Sequence, residues 1–126
     1  MAKTLKAKKI KMESVATAHL RHVRLSAQKA RLVIDLVRGK QVEPALSILQ
    51  FSTKKGAKLV SKLLRSAIAN ARERGGVDVD KLWVSAGWAN EGPHMKRYLP
   101  RARGSADMLR KKMSHITISV GERVKA

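Results

Sequence analysis

The segment from Gly92 to Lys112 constrains this chain more than any other feature. It carries seven lysines and arginines against a single acid, Asp107. The basic residues are Lys96, Arg97, Arg101, Arg103, Arg110, Lys111 and Lys112. A two-stranded ribbon of this composition has no apolar face to bury, so nothing offsets the conformational entropy that is lost when it orders. We therefore expect a polyanionic partner to hold it.

Two stretches with the alternation of β-strands flank the basic segment. The alternating residues before it are Leu82, Val84, Ala86 and Trp88. Those after it are Ile116, Ile118 and Val120. The two strands should pair antiparallel, which makes the basic segment the outer part of a hairpin over about residues 89–114. Pro and Gly bracket a turn, so the tip is predicted around Pro100 to Gly104.

A third strand is predicted from Ser14 to Arg24. One of its faces would carry Val15, Thr17, His19, Arg21 and Val23, and the other Ala16, Ala18, Leu20 and His22. With three helices between this strand and the hairpin, we expect an α+β domain over residues 14–126. In that fold, three helices pack on a three-stranded antiparallel sheet and the basic hairpin extends from it.

The helices are predicted from apolar stripes and end signals. Ser26 offers an N-cap for a helix to about Arg38, and Gly39 offers a left-handed stop. The stripe of this helix is Ala30, Val33, Ile34 and Val37. A second helix should begin near Glu43, with Pro44 in its first turn. Its stripe is Val42, Ala45, Leu46 and Leu49.

The third helix, from about Lys54 to Arg74, has two opposed faces and ends at Gly75-Gly76. Its apolar face comprises Ala57, Val60, Leu64, Ala67, Ile68 and Ala71. Its opposite face carries the cations Lys54, Lys58, Lys62, Arg65 and Arg72. A charged helix face is ordinarily just solvated. Because no acid interrupts these five cations, we favour a surface that faces phosphates.

Composition favours a nucleic-acid partner and gives no support to an enzyme. The net charge is +19 over 126 residues, which destabilises the compact state unless counter-charge is supplied. An anionic membrane is the weaker alternative, since no apolar run approaches the ~20 residues that span a bilayer. The chain has no cysteine, and its four histidines and nine acids form no metal-binding or catalytic pattern. We expect no metal, no cofactor and no catalysis.

The first thirteen residues are rich in lysine and poor in core material. They lack the apolar core of a secretory signal, so we expect a basic RNA-binding arm over residues 1–13 of a cytoplasmic protein. A transit peptide is the alternative interpretation of this acid-poor stretch.

Only four aromatic residues are present, too few for a sheet that reads single-stranded RNA by stacking. We predict that Phe51, Trp83 and Trp88 pack in the core or at an interface. Tyr98, inside the basic segment, is predicted to stack on a base or to pack in a groove. The charge pattern thus favours recognition of RNA backbone and shape over sequence readout.

Three segments together resemble one protein family. They are SAQKARLVIDLVRGK at 26–40, SAIANA at 66–71 and EGPHMKRYLPRARGSADMLRKKMSHITISV at 91–120. In order and spacing they are similar to the bacterial large-subunit ribosomal protein that is twenty-second in the usual numbering, over about Val15 to Val120. The run from GP-x-MKR to PRARG-x-A, followed by SHITI, is highly specific.

The resemblance implies a structural component of the large ribosomal subunit. The globular domain would sit on the subunit surface near the exit of the peptide tunnel, and the hairpin would thread through the rRNA to line the tunnel wall. Partners would be large-subunit (23S-type) rRNA, neighbouring ribosomal proteins and the nascent polypeptide. The family is also associated with subunit assembly and with macrolide sensitivity through this hairpin.

Two sets of site residues follow from the charge pattern and the resemblance. The rRNA-binding set is Lys54, Lys58, Lys62, Arg65, Lys96, Arg97, Tyr98, Arg101, Arg103, Arg110, Lys111 and Lys112. The tunnel-lining set, implied by the resemblance, is Met95, Lys96, Arg97, Arg101, Ala102, Arg103, Gly104, Ser105 and Ala106. A DNA-binding protein with a basic β-arm is the rival hypothesis, and it requires a dimer. The single apolar face of each helix leaves no dimer stripe, so no homo-oligomer is expected.

Overall fold

Five strands and three helices follow one another along residues 12–123, the part of the chain that this computed structural model describes. In chain order they are β1 (Met12–Val23), α1 (Ala27–Val37), α2 (Val42–Phe51), α3 (Lys55–Arg74), β2 (Leu82–Glu91), β3 (Met95–Pro100), β4 (Ala106–Lys111) and β5 (Ser114–Arg123). Because β1 begins at Met12, it includes the last two residues of the predicted arm. The rest of that arm lies outside the described residues.

Strand β5 forms the centre of a three-stranded antiparallel sheet with the order β1-β5-β2. Its residues Ile116, Ile118 and Val120 are fully buried beneath the helices. Helix α3 packs against β1 and β5, while α1 packs against β2. The predicted α+β class, with three helices on a three-stranded antiparallel sheet, is confirmed.

The helix ends follow the predicted capping chemistry. The Ser26 hydroxyl accepts a hydrogen bond from the Lys29 backbone N–H, 3.4 Å away, at the start of α1. Gly39 and Gly75, after α1 and α3, have φ values of +76° and +72°, a region that costs an L side chain energy. All six apolar residues predicted for the α3 core face are buried.

A bulge in β1 overturns part of the predicted face assignment. The pairing of β1 with β5 shifts between Leu20 and Val23, and His22 adopts a positive φ of 55°. One extra residue in a strand reverses the inside–outside alternation beyond it. Val23 is therefore buried on the face of Ala16 and Ala18, and its prediction on the opposite face was wrong.

A bulge in β2 also changes which of its residues face the helices. Its pairing with β5 shifts between Val84 and Ala86, so Gly87 and Ala89, rather than Ala86 and Trp88, continue the buried face. A Cβ atom on Gly87 would lie 2.8 Å from the Ile34 Cγ2 of α1. The bulge thus presents the residue without a side chain where α1 crosses the strand.

None of the four aromatic residues, all of which lie within residues 12–123, belongs to the buried core. Phe51, at the end of α2, is 84% exposed, and Trp88 is 42% exposed because the β2 bulge turns it away from the helices. A core position was wrong for both, which leaves the interface alternative untested. Trp83 is half-buried, with the Arg123 guanidinium carbon 5.4 Å from its ring centroid.

None of the helices within residues 12–123 is both long and apolar enough to cross a membrane.

We predict that Leu64→Ala lowers the free energy of unfolding by about 2–5 kcal/mol, because its side chain is fully buried between α3 and the sheet. Leu32→Ala is the matched control, since Leu32 is also a helical leucine but is 54% exposed. Urea unfolding followed by circular dichroism measures both. Equal losses for the two variants would contradict the assigned core.

Candidate nucleic-acid interface

Strands β3 and β4 form a two-stranded ladder that is separate from the main sheet. Their register runs from Met95 opposite Lys111 to Pro100 opposite Ala106. The main sheet continues to Glu91 opposite Ser114, so the first and last residues of the predicted hairpin, at its base, belong to this sheet. The Gly92 N–H donates to the Met113 carbonyl oxygen, 2.9 Å away, in the short connection between the two ladders. This connection is called the hairpin root below.

The two faces of the β3–β4 ladder differ in chemistry. On one face Lys96 lies directly opposite Arg110, and Tyr98 lies opposite Met108. Like charges in directly opposed positions destabilise a strand pair. Tyr98 is 79% exposed, so its ring is accessible, as the predicted stacking role requires.

The opposite face is less polar towards its middle. Leu99 and Leu109 are half-buried there, and Arg97 stands across from Leu109. Lys111, across from Met95, is half-buried as well. Each face thus carries two cations, but one adds an exposed aromatic ring and the other adds two half-buried leucines, so the two faces can contact different surroundings.

The tip is a tight turn at Ala102–Gly104, within the range that the sequence predicted. The Arg101 N–H donates to the Ser105 carbonyl oxygen at 2.8 Å, and the Ser105 hydroxyl donates to the Ala102 carbonyl oxygen at 2.9 Å. Arg103 has a φ of +57°, which costs a non-glycine residue roughly 1–2 kcal/mol. Such a conformation at an exposed tip is one that bound RNA or protein can stabilise.

Arg101 differs from the other predicted hairpin cations because it has an acidic partner. Its Nε lies 3.0 Å from the Asp107 Oδ2, and both side chains are more than half exposed. An exposed pair of this kind contributes only about 0–1 kcal/mol. The pair joins the two strands beside the turn. Because it is weak, Arg101 can exchange Asp107 for a phosphate.

The cationic face of α3 is exposed to solvent. All five predicted residues are exposed, namely Lys54, Lys58, Lys62, Arg65 and Arg72. None of the five belongs to the three ion pairs found among the described residues. Arg72 shares a cleft with Glu43 and Asp80, so the other four cations form the part of the face that is farthest from any such acidic neighbour in the described lining of the clefts.

Arginines outside the predicted site residues also bind the protein's own backbone. The Arg31 guanidinium donates twice to the Ala89 carbonyl oxygen, at 3.2 and 3.0 Å, and Arg38 donates to that of Gly87 at 2.5 Å. Arg24 donates to the Lys112 carbonyl oxygen at 2.8 Å, across the hairpin root. These arginines join α1 and the end of β1 to β2 and to the hairpin.

Sequence reasoning missed a group of cations at the hairpin root. Arg24, Lys29 and Lys55 lie around one cleft with the predicted Arg110 and Lys112. Each is visible in the sequence, but they belong to distant segments. Only the packing of α1 and α3 beside the root brings them together.

We predict that Lys96→Glu orders the hairpin in the isolated protein and weakens its binding to RNA. The new carboxylate would stand directly opposite Arg110, and such a cross-strand pair contributes roughly 0.2–1 kcal/mol. Amide hydrogen exchange across β3 and β4 measures the ordering.

Arg97→Glu is the matched control for Lys96→Glu. It makes the same charge change in the same strand, but its cross-strand neighbour is Leu109. Equal protection of the hairpin amides in both variants would contradict the like-charge opposition of Lys96 and Arg110.

The family of the chain follows from a family model described as ribosomal protein L22p/L17e, which matches residues 18–121. The match takes in half of β1, all three helices, all of β2, the complete β3–β4 ladder and most of β5. It confirms the resemblance carried by the three sequence segments. The chain therefore belongs to the ribosomal protein L22p/L17e family, whose members are structural, rRNA-binding constituents of the large ribosomal subunit in the cytoplasm.

Proposed function

We propose that the globular domain anchors this protein to large-subunit rRNA, while the β3–β4 ladder penetrates the RNA and lines the nascent-peptide exit tunnel. The observation that carries the proposal is the form of this ladder. It is a narrow ribbon separate from the main sheet, and its cations Lys96 and Arg110 oppose each other with no acid between them. Polyanionic surroundings would supply the missing counter-charge.

Counterion release supplies the free energy for this arrangement. Each phosphate that a lysine or arginine neutralises frees condensed cations from the RNA, which favours binding and makes it salt-dependent. That gain offsets the entropy lost when a flexible ribbon becomes ordered. The same interaction would let the protein support subunit assembly, because it joins RNA segments that contact the ribbon to those that contact the domain.

The cationic face of α3 is proposed as the main anchoring surface of the domain. Its residues project from a rigid 20-residue helix whose other face is buried on the sheet. A rigid row of cations loses little conformational entropy at the backbone when it meets phosphates. Lys58, Lys62 and Arg65 lie on two successive turns in the middle of this face.

The tip is proposed to form part of the tunnel wall, next to the nascent polypeptide. Ala102, Gly104, Ser105 and Ala106 are small and exposed, so another chain can approach their backbone closely. The arginines at positions 101 and 103 would hold rRNA phosphates bidentately and fix the tip. An effect of the hairpin on macrolide sensitivity would follow from this position.

We predict that replacing Lys58, Lys62 and Arg65 with alanine weakens rRNA binding and flattens its salt dependence by up to about three in the slope of log K against log salt. Filter binding to a large-subunit rRNA transcript at several salt concentrations measures this. The charge-conserving control K58R/K62R/R65K should keep the slope of the unmodified protein. An unchanged slope in the alanine variant would show that α3 does not face phosphates.

We also predict that deleting Met95 to Arg97 leaves the domain fold and subunit incorporation intact but alters the tunnel. These residues pair only with β4, so their loss does not interrupt the β1-β5-β2 sheet. Incorporation is measured in purified subunits, and the tunnel by cross-linking from a nascent chain to the hairpin. Failure of the variant to enter subunits would contradict the division between anchoring domain and tunnel ribbon.

A further inference from the structure

The cations at the hairpin root surround a cleft of about 410 Å³. They come from four parts of the fold: the bend after β1 supplies Arg24, α1 supplies Lys29, α3 supplies Lys55, and the returning hairpin arm supplies Arg110 and Lys112. Among the described residues, no acidic or aromatic side chain lines this cleft. Five positive charges facing one concave space repel one another unless an anion enters it.

Two helix N-termini meet at the same cleft and strengthen its positive potential. Lys29 lies in the first turn of α1 and Lys55 is the first residue of α3, and neither helix has an acid in its first turn. Cations at these positions are unfavourable, because the helix dipole already places positive charge there. Residues that are unfavourable in their local structure, such as these two lysines, are typical of functional sites, where a ligand or partner compensates for their cost.

The cleft also joins the domain to the hairpin. Lys29 and Lys55 belong to the helices, whereas Arg110 and Lys112 belong to the hairpin arm. Among the described residues, one hydrogen bond joins a cleft side chain of the domain to the hairpin arm. Arg24 donates it to the Lys112 carbonyl oxygen. An anion between the two sides would therefore add an attraction that helps to hold the hairpin at one angle to the domain.

We propose that this cleft is a phosphate-binding site for RNA backbone, and that its occupation fixes the hairpin relative to the domain. The inference rests on the proposed function. A polynucleotide is favoured over a free nucleotide because the described lining of the cleft offers no aromatic ring to stack on a base. Lys29 and Lys55 also line a neighbouring cleft together with Lys54, the first residue of the cationic α3 face, so one backbone can follow both surfaces.

The test is the salt dependence of binding of K29A/K55A, in the full chain, to a large-subunit rRNA transcript. Because this variant neutralises two fewer phosphates, the slope of log K against log salt should fall in magnitude by about 1.4–1.8. K29R/K55R should restore the slope. K40A/K81A is the control of equal charge, because Lys40 and Lys81 lie at the opposite end of β2 from the root.

Hairpin orientation provides a second measurement. The natural chain has no cysteine, so Gln50→Cys and Met108→Cys allow two fluorophores to be placed cleanly on the domain and the hairpin. On binding rRNA, the distance distribution between them should narrow in the otherwise unchanged protein and stay broad with K29A/K55A. Urea unfolding should show K29A/K55A to be at least as stable as the parent, since it removes cations from helix N-termini.

The outcomes separate this inference from the proposed function. If K29A/K55A and K40A/K81A give the same slope and the same distance distribution while the parent binds rRNA steeply, the cleft is no phosphate site and the rRNA-anchoring proposal stands. If the parent shows no preference for the rRNA transcript over duplex DNA, the proposed function itself is wrong and this inference falls with it.

Discussion

Positive charge without an internal counter-charge is the constraint on which the rest of this structure depends. The net charge is +19, and only three ion pairs involve the described residues. One of these, Arg101–Asp107, lies at the hairpin tip. We propose that the remaining cations of the hairpin, the α3 face and the root cleft obtain their counter-charge from rRNA. The folded domain can tolerate this because its apolar core is buried beneath three helices, whereas the ribbon has no such core.

Some cations of this protein bind its own backbone, whereas others are exposed to solvent. Arg31 and Arg38 donate to backbone carbonyl oxygens of β2, so they fasten α1 to the sheet. Arg24 does the same for the hairpin root. The lysines, in contrast, are mostly left exposed. A planar guanidinium with several donors suits both a fixed carbonyl oxygen and a phosphate. The location of an arginine therefore decides whether it joins parts of the fold, as Arg31 does, or is proposed to bind RNA, as Arg65 and Arg103 are.

Most of the fold could be predicted from sequence because local signals agree with it. The Ser26 cap, Gly39 stop and α3 stripe all specify helices at short range. The errors arose where one residue changed the alternation of a strand. The β2 bulge has no strong local signal at Ser85, and its shift becomes necessary only because Gly87 must lie beneath α1. A histidine within a predicted strand does not by itself indicate the positive φ that His22 adopts at the β1 bulge. The root cleft was missed for a similar reason: its cations become neighbours only through tertiary packing.

The most direct test of the central claim is sedimentation of cell lysate at high salt, comparing the full chain with a version that lacks His94 to Lys111. The account predicts that the full chain stays with large subunits. It also predicts that the shortened chain, which keeps the α3 face and the core, enters subunits but dissociates at lower salt. Full-length protein that remains at the top of the gradient would contradict an anchoring role in the subunit. Equal retention of both versions would contradict the contribution assigned to the hairpin.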